Sequence, residues 1–212
     1  GLWRIFECGG GFDMRELSTV ERLNMIEDII KNDPFKGNRA LNNGNGGYIF
    51  DYNPEDELIV REHVKKMGNL PGLSCGIKII DLFDDILIPL LKRENYLDAA
   101  FQLEEDCRSS GNIGDLVYAM DGLLQQGNSD DIFVKYLCDN VSEGNVVFLI
   151  GVGKCHPFIR SHQIINNYDS MKHGVKTILF YPGTYDMEEL KLFGTVQSEN
   201  YYRASVLIPR SE

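Results

Sequence analysis

NVVFLIGVGKCHPFIRSH, residues Asn145 to His162, decides the fold class. Val146-Val147-Phe148-Leu149-Ile150 is an unbroken apolar run, the pattern of a strand covered on both faces. Gly151-Val152-Gly153 breaks it, and Lys154, Cys155, His156, Arg160 and Ser161-His162 crowd into the positions that follow. Pro157 fits the first turn of a helix, where its missing N–H costs no intrahelical bond. The stretch therefore reads as strand, glycine turn, then a helix from Pro157 to about Asn167. In an open α/β sheet, ligands bind at this carboxyl end of a strand.

Working downstream, Thr177-Ile178-Leu179-Phe180-Tyr181 is a fourth strand, ended by Pro182-Gly183-Thr184-Tyr185-Asp186 as a turn. Leu190 to Phe193 is expected to be irregular or a short helix, and a last strand lies near Arg203–Ile208. Upstream, Leu82 to Asn140 is helical in pattern throughout. Ile113, Leu116, Val117, Met120, Leu123 and Leu124 share one helical face, and breaks at Asn95, Ser109-Ser110-Gly111 and Gly127-Asn128-Ser129 divide the segment into three or four helices. Ile77–Asp81 is the second strand and Tyr48-Ile49-Phe50 the first. Between them Asn53 is placed as an N-cap with Pro54 at the first helical position, and that helix runs to about Met67. The first helix has capping-box spacing at Ser18 and Glu21, an apolar face of Val20, Leu23, Ile26 and Ile30, and ends near Lys31 before Asn32-Asp33-Pro34. Gly37 to Gly47 is a turn-rich loop without phosphate-loop spacing.

Strands alternating with helices predict a mostly parallel sheet of about five strands flanked by helices, with a helical acidic insertion, residues 82–143, between the second and third strands. Residues 14–212 are expected to form a single α/β domain. Residues 1–13 show neither helical nor strand periodicity and read as a leader or cloning remnant ahead of Met14. No apolar run approaches the roughly 20 residues of a membrane-spanning helix. Five scattered cysteines without a CxxC pair favour free thiols in a reducing cytosol.

The formal net charge of −11 opposes direct nucleic-acid binding. From Glu94 to Glu143 eleven Asp or Glu stand against Arg108 and Lys135, so that this segment alone carries −9. It is either one solvated acidic face or a lobe that docks on a basic partner.

The residues at and around the glycine turn bear on four chemistries. A Walker A loop fails because Cys155 follows Gly153-Lys154 and Phe148 stands where the first glycine belongs; Asp81 has only the position of a Walker B acid. The dinucleotide fingerprint fails at His156. Cys155 with His156 or His162 as base lacks any nucleophile-elbow motif. The histidines (His63, His156, His162, His173) form no metal-ligand spacing. An anion could be held by Arg160, His162 and Tyr201-Tyr202-Arg203; alternatively Arg160 and Arg203 anchor buried carboxylates such as Asp51 or Asp186 and fix the loops at the sheet end. No catalytic residue, metal or cofactor is assigned.

Gly47-Tyr48-Ile49-Phe50-Asp51-Tyr52, Gly151-Val152-Gly153 running into Pro157-Phe158-Ile159-Arg160-Ser161-His162, Phe180-Tyr181-Pro182-Gly183-Thr184-Tyr185 and Asn200-Tyr201-Tyr202-Arg203-Ala204 together resemble the BrxB family of the BREX phage-resistance systems of bacteria. The resemblance covers Met14 to about Arg210. It implies a cytoplasmic protein acting with the PglZ phosphatase-like protein, the PglX adenine methyltransferase and the BrxC ATPase, in systems that methylate host DNA and block phage replication. It supplies no catalytic residues. The expectation is a non-catalytic adaptor with PglZ as direct partner. The rival is a nucleotide-sensing or enzymatic α/β domain using the 151–162 turn. Asp51, Arg160, His162 and Arg203 are the candidate motif residues, structural or anion-binding.

Overall fold

A computed structural model describes residues 16–32, 47–73, 75–111, 113–142, 144–171, 175–185, 190–192, 196–198 and 204–211. The suspected leader 1–13, most of the glycine loop, His173, Asp186 and Tyr201–Arg203 lie outside these residues. The elements run α1 (Thr19–Lys31), β1 (Gly47–Tyr52), a 3-10 turn (Pro54–Asp56), α2 (Glu57–Gly68) and β2 (Ile77–Asp81). The insertion follows as a π-helical turn (Leu82–Leu87), α3 (Ile88–Arg93), α4 (Leu97–Ser110), α5 (Gly114–Leu124) and α6 (Ile132–Asn140). Then come β3 (Val146–Ile150), α7 (Val152–Cys155), α8 (Ser161–Met171), β4 (Lys176–Tyr185), β5 (Leu190–Leu192), β6 (Val196–Ser198) and β7 (Ser205–Val206).

Five strands in the order β2-β3-β4-β1-β7 pair in parallel, as expected, and β5 and β6 extend β4 antiparallel. The alternation of β3 shows why its run is apolar throughout. Val146, Phe148 and Ile150 face α1 and α2, whereas Val147 and Leu149 face the helices of the insertion and α8. Phe50, Phe180 and Phe148 form a ladder on the α1–α2 face, with ring centroids 5.6 and 5.3 Å apart. Each such burial stabilises by roughly 1.5–3 kcal/mol.

The capping box at Ser18 and Glu21 is present, with the Ser18 N–H donating to Glu21 Oε2 at 2.9 Å. Val20 is 39% exposed and leaves the apolar face; Arg22 takes a buried place beside Leu23, Ile26 and Ile30. Asn53 precedes the 3-10 turn but caps nothing with its side chain, because its Oδ1 accepts from Arg210 Nη1 at 2.7 Å. In the insertion Leu116, Met120 and Leu124 are buried, while Ile113 stays exposed. The breaks at Asn95, at Gly111 and after Leu124 fall where expected, with Asn95 and Gln125 at positive φ.

Pro157 does not open a helix. The chain turns helical directly after Gly151, and His156, extended as a residue before proline prefers, ends α7; α8 begins at Ser161. Pro182 does not end β4 either. It pairs with Tyr52 as the last step of the β1 register, and Gly183–Tyr185 find new partners in Leu190–Leu192, so the expected turn and the irregular segment are a hairpin. The last strand shrinks to Ser205–Val206.

Candidate functional site

Helices leave β1 to one face of the sheet and leave β2 and β3 to the other, so the ligand crevice of such a sheet should lie between their carboxyl ends. Two charged networks line that edge, and an opening of about 540 Å³ beside the first is bordered by Arg22, Asn53, Asp56 and Arg210.

The first centres on Asp51, buried at the end of β1. Arg22 Nη2 donates to its Oδ1 at 2.8 Å and Nη1 to its backbone carbonyl at 2.6 Å. Arg210 Nε reaches Oδ2 at 2.9 Å, and the Tyr185 N–H donates to the same oxygen at 3.3 Å. Arg22 also donates to the Ile208 carbonyl and lies 4.5 Å from the centre of the Phe50 ring. Asp51 is a buried, anchored carboxylate whose cations among the described residues are Arg22 and Arg210; Arg160 pairs with Asp121 instead. The signal for Arg22 was present: it stands four residues before Ile26 on the apolar stripe of α1, where a charge is tolerated only with a partner.

The second network centres on Asp81 at the end of β2. Its Oδ1 caps the π-helical turn by accepting the Phe83 and Asp84 N–H groups at 3.0 and 3.1 Å. Its Oδ2 takes Arg61 Nη2 at 2.8 Å from α2 and Lys154 Nζ at 2.7 Å from α7, so helices from both faces meet on one carboxylate. Lys154 reaches Asp84 as well, at 2.6 Å, and Arg61 Nε faces Glu57 Oε1 at 3.3 Å without hydrogen-bond geometry. Gly151, at φ +84°, places its Cα where any Cβ would collide with Asp81 Oδ1.

These pairings determine what the turn can do. Lys154 is committed to two carboxylates and offers no cradle for a phosphate. Cys155 is fully buried, and burial together with the Asp81 charge pushes its thiol far above the ordinary range, so it is not a thiolate nucleophile. Burial lowers the His156 pKa and favours the neutral ring. Burial works to raise the Asp81 carboxyl, but the Lys154 hydrogen bond and charge and the Asp84 and Phe83 N–H groups outweigh it and hold the carboxyl below 3.8.

A group depressed in this way contributes stability that is complete above its unfolded value and is lost as pH falls through the folded one. Lys154→Ala should therefore be less stable than wild type by a constant margin between pH 5 and 8. That margin should shrink once the pH drops below 3.8, as followed by thermal unfolding across a pH series. A margin independent of pH down to 2 would show that Lys154 does not hold this carboxylate.

Arg160 lies outside both networks: its guanidinium pairs with Asp121 of α5 at 2.9 Å, and its backbone N–H donates to Gln126 Oε1 at 2.6 Å. His162 occupies the second position of α8. Asp51 and Arg160 therefore belong to separate corners, and Arg203 is beyond the described residues. Among the described residues no three His, Cys, Asp or Glu side chains gather as a metal would require, and no helix is long and apolar enough to cross a membrane.

An opening beside the Gly151 turn is apolar. A depression of about 320 Å³ lies between the π-helical turn, α3, α4, α5 and the bend at His156–Phe158, with Phe83, Leu87, Leu91, Phe101 and Met120 in its walls. A second depression of about 260 Å³ shares Glu104, Ile113 and Leu116 with it, so the two run together as one furrow along α4 and α5.

A family model described as "BREX protein BrxB" matches residues 78–207. A protein of Bacillus cereus (strain H3081.97) named "BREX protein BrxB" is 38% identical over 192 residues, covering 90% of this chain and 97% of the relative. One of the same name from Escherichia coli O9:H4 (strain HS) is 29% identical over 190 residues, covering 89% and 90%. No solved structure matches the chain.

Proposed function

Because this chain belongs to the BrxB family of BREX proteins, we propose that it is a non-catalytic adaptor of a BREX phage-defence complex, with PglZ as its first direct partner and PglX and BrxC as further members of the assembly. One observation supports the reading: the carboxylates at the ends of β1 and β2, where an α/β sheet binds ligands, are taken up by the protein's own Arg22–Asp51–Arg210 and Arg61–Asp81–Lys154 ion pairs. Residues 14–212 act as one cytoplasmic α/β domain, and 82–143 is the part of it that partners reach. Asp51, Arg160, His162 and Arg203 serve to hold the sheet-end corners, and binding to DNA is left to other components.

Purified chain should retain PglZ in a pull-down at moderate salt when PglZ, PglX and BrxC are offered separately. Retention of none of the three, or nucleotide binding that is lost in Lys154→Ala, would overturn the adaptor in favour of the nucleotide-sensing alternative.

A further inference from the structure

The furrow on the insertion has the features of a protein-docking surface. Phe101, 57% exposed, and Ile113, about half exposed, stand in its walls, and such side chains cluster on a soluble surface chiefly where something covers them. The charge around it is uncompensated. Both cations of the acidic segment are used within it, Arg108 by Glu104 at 3.1 Å and Lys135 by Asp130. Asp98 and Glu105, three residues before and four after Phe101, flank that ring along the surface of α4 and have no cationic partner among the described residues.

The walls restrict the occupant. They are side chains of helices and not a sheet edge, so an added β-strand would find no backbone ladder to join. The polar groups at the rim are engaged, Lys154 with Asp81 and Asp84 and Glu104 with Arg108, so a small molecule would meet apolar surface without orienting partners. A second copy of this chain would bring its own acidic surplus against the same rim.

We propose that this furrow holds one amphipathic helix of a partner protein, its apolar side on the walls around Phe101 and Met120 and its lysines and arginines over the acidic rim. The proposal rests on the adaptor reading and specifies its docking mode. An apolar stripe at i, i+3, i+4 and i+7 fits a furrow bounded by two helices. The cations supply the charges that Asp98 and Glu105 lack, which governs association rate and choice of partner more than final affinity.

The test uses the full chain with whichever purified BREX component it retains. Phe101→Asp should weaken that binding by about tenfold or more, as expected for an exposed aromatic anchor. Leu58→Asp, at a still more exposed apolar position on α2 across the sheet, should leave it unchanged. Photocrosslinking from p-benzoylphenylalanine at position 101 keeps an aromatic there and should capture a Lys/Arg-rich helical segment of the partner. Unchanged binding in Phe101→Asp, an equal loss in Leu58→Asp, or capture of an acidic or extended segment each overturns the helix-in-furrow mode while leaving the adaptor intact. If wild-type chain retains no component, both fall.

Discussion

Arg22→Ala is expected to lower the stability of the fold by about 3–5 kcal/mol, the range for removing one partner of a buried ion pair. Arg22 is 1% exposed and joins three segments distant in sequence: α1, the end of β1 through Asp51, and the segment after β7 through the Ile208 carbonyl. Without it, two backbone carbonyls lose their donors and Asp51 keeps Arg210 alone. A small domain has about 5–15 kcal/mol in total, so the variant should be partly unfolded at moderate urea. Urea denaturation at pH 7 measures the difference, and a loss under 1 kcal/mol would mean that the clamp is not a main tie of the fold. Arg22→Ala combined with Asp51→Ala should cost less than the two losses added, because the orphaned carboxylate goes with its partner.

Gly151→Ala should cost about 2–4 kcal/mol, from a left-handed backbone worth roughly 1–2 kcal/mol and the displacement of a carboxylate that two amides and two cations depend on. Asp81 has nowhere to retreat, with Arg61 on one side and Lys154 on the other. The decisive measurement is the same substitution in an Asp81→Ala background. There the collision is gone and only the backbone strain remains, so the loss should fall by about half or more. An equal loss in both backgrounds would place the cost elsewhere.

The ends of β2 and β3 could be read from the sequence to the residue, because the apolar run of β3 stops at Gly151 and the Ile-rich β2 closes on Asp81. The helices of the insertion were equally legible, since Asn95, Gly111 and Gly127 mark real breaks. Pro182 misled because a proline stops a strand only where its N–H is needed, and here it closes the β1 register while a hairpin partner carries the chain on to Tyr185. Pro157 misled because the helical turn had already begun at Val152. In the candidate site, Asp51 was identified but its cations were not: Arg22 and Arg210 flank the strand pattern from opposite ends of the chain, and only the fold brings them to one carboxylate. The furrow had no motif to announce it, being made from residues of five separate segments that are unremarkable individually.

The strand order has a consequence for biosynthesis. β1 is synthesised well before both of its neighbours, β4 and β7, with Gly47 waiting for Thr177 and Ile49 for Val206. Meanwhile β2 can pair with β3 as soon as the insertion between them has been made. On the ribosome the nascent chain therefore carries Tyr48-Ile49-Phe50 as an apolar strand with two open edges until β4 and then β7 have been made. Ribosome stalling or premature termination between β3 and β4 would release a species with β1 unpaired on both edges, one destined for chaperones or aggregation before it could meet a partner.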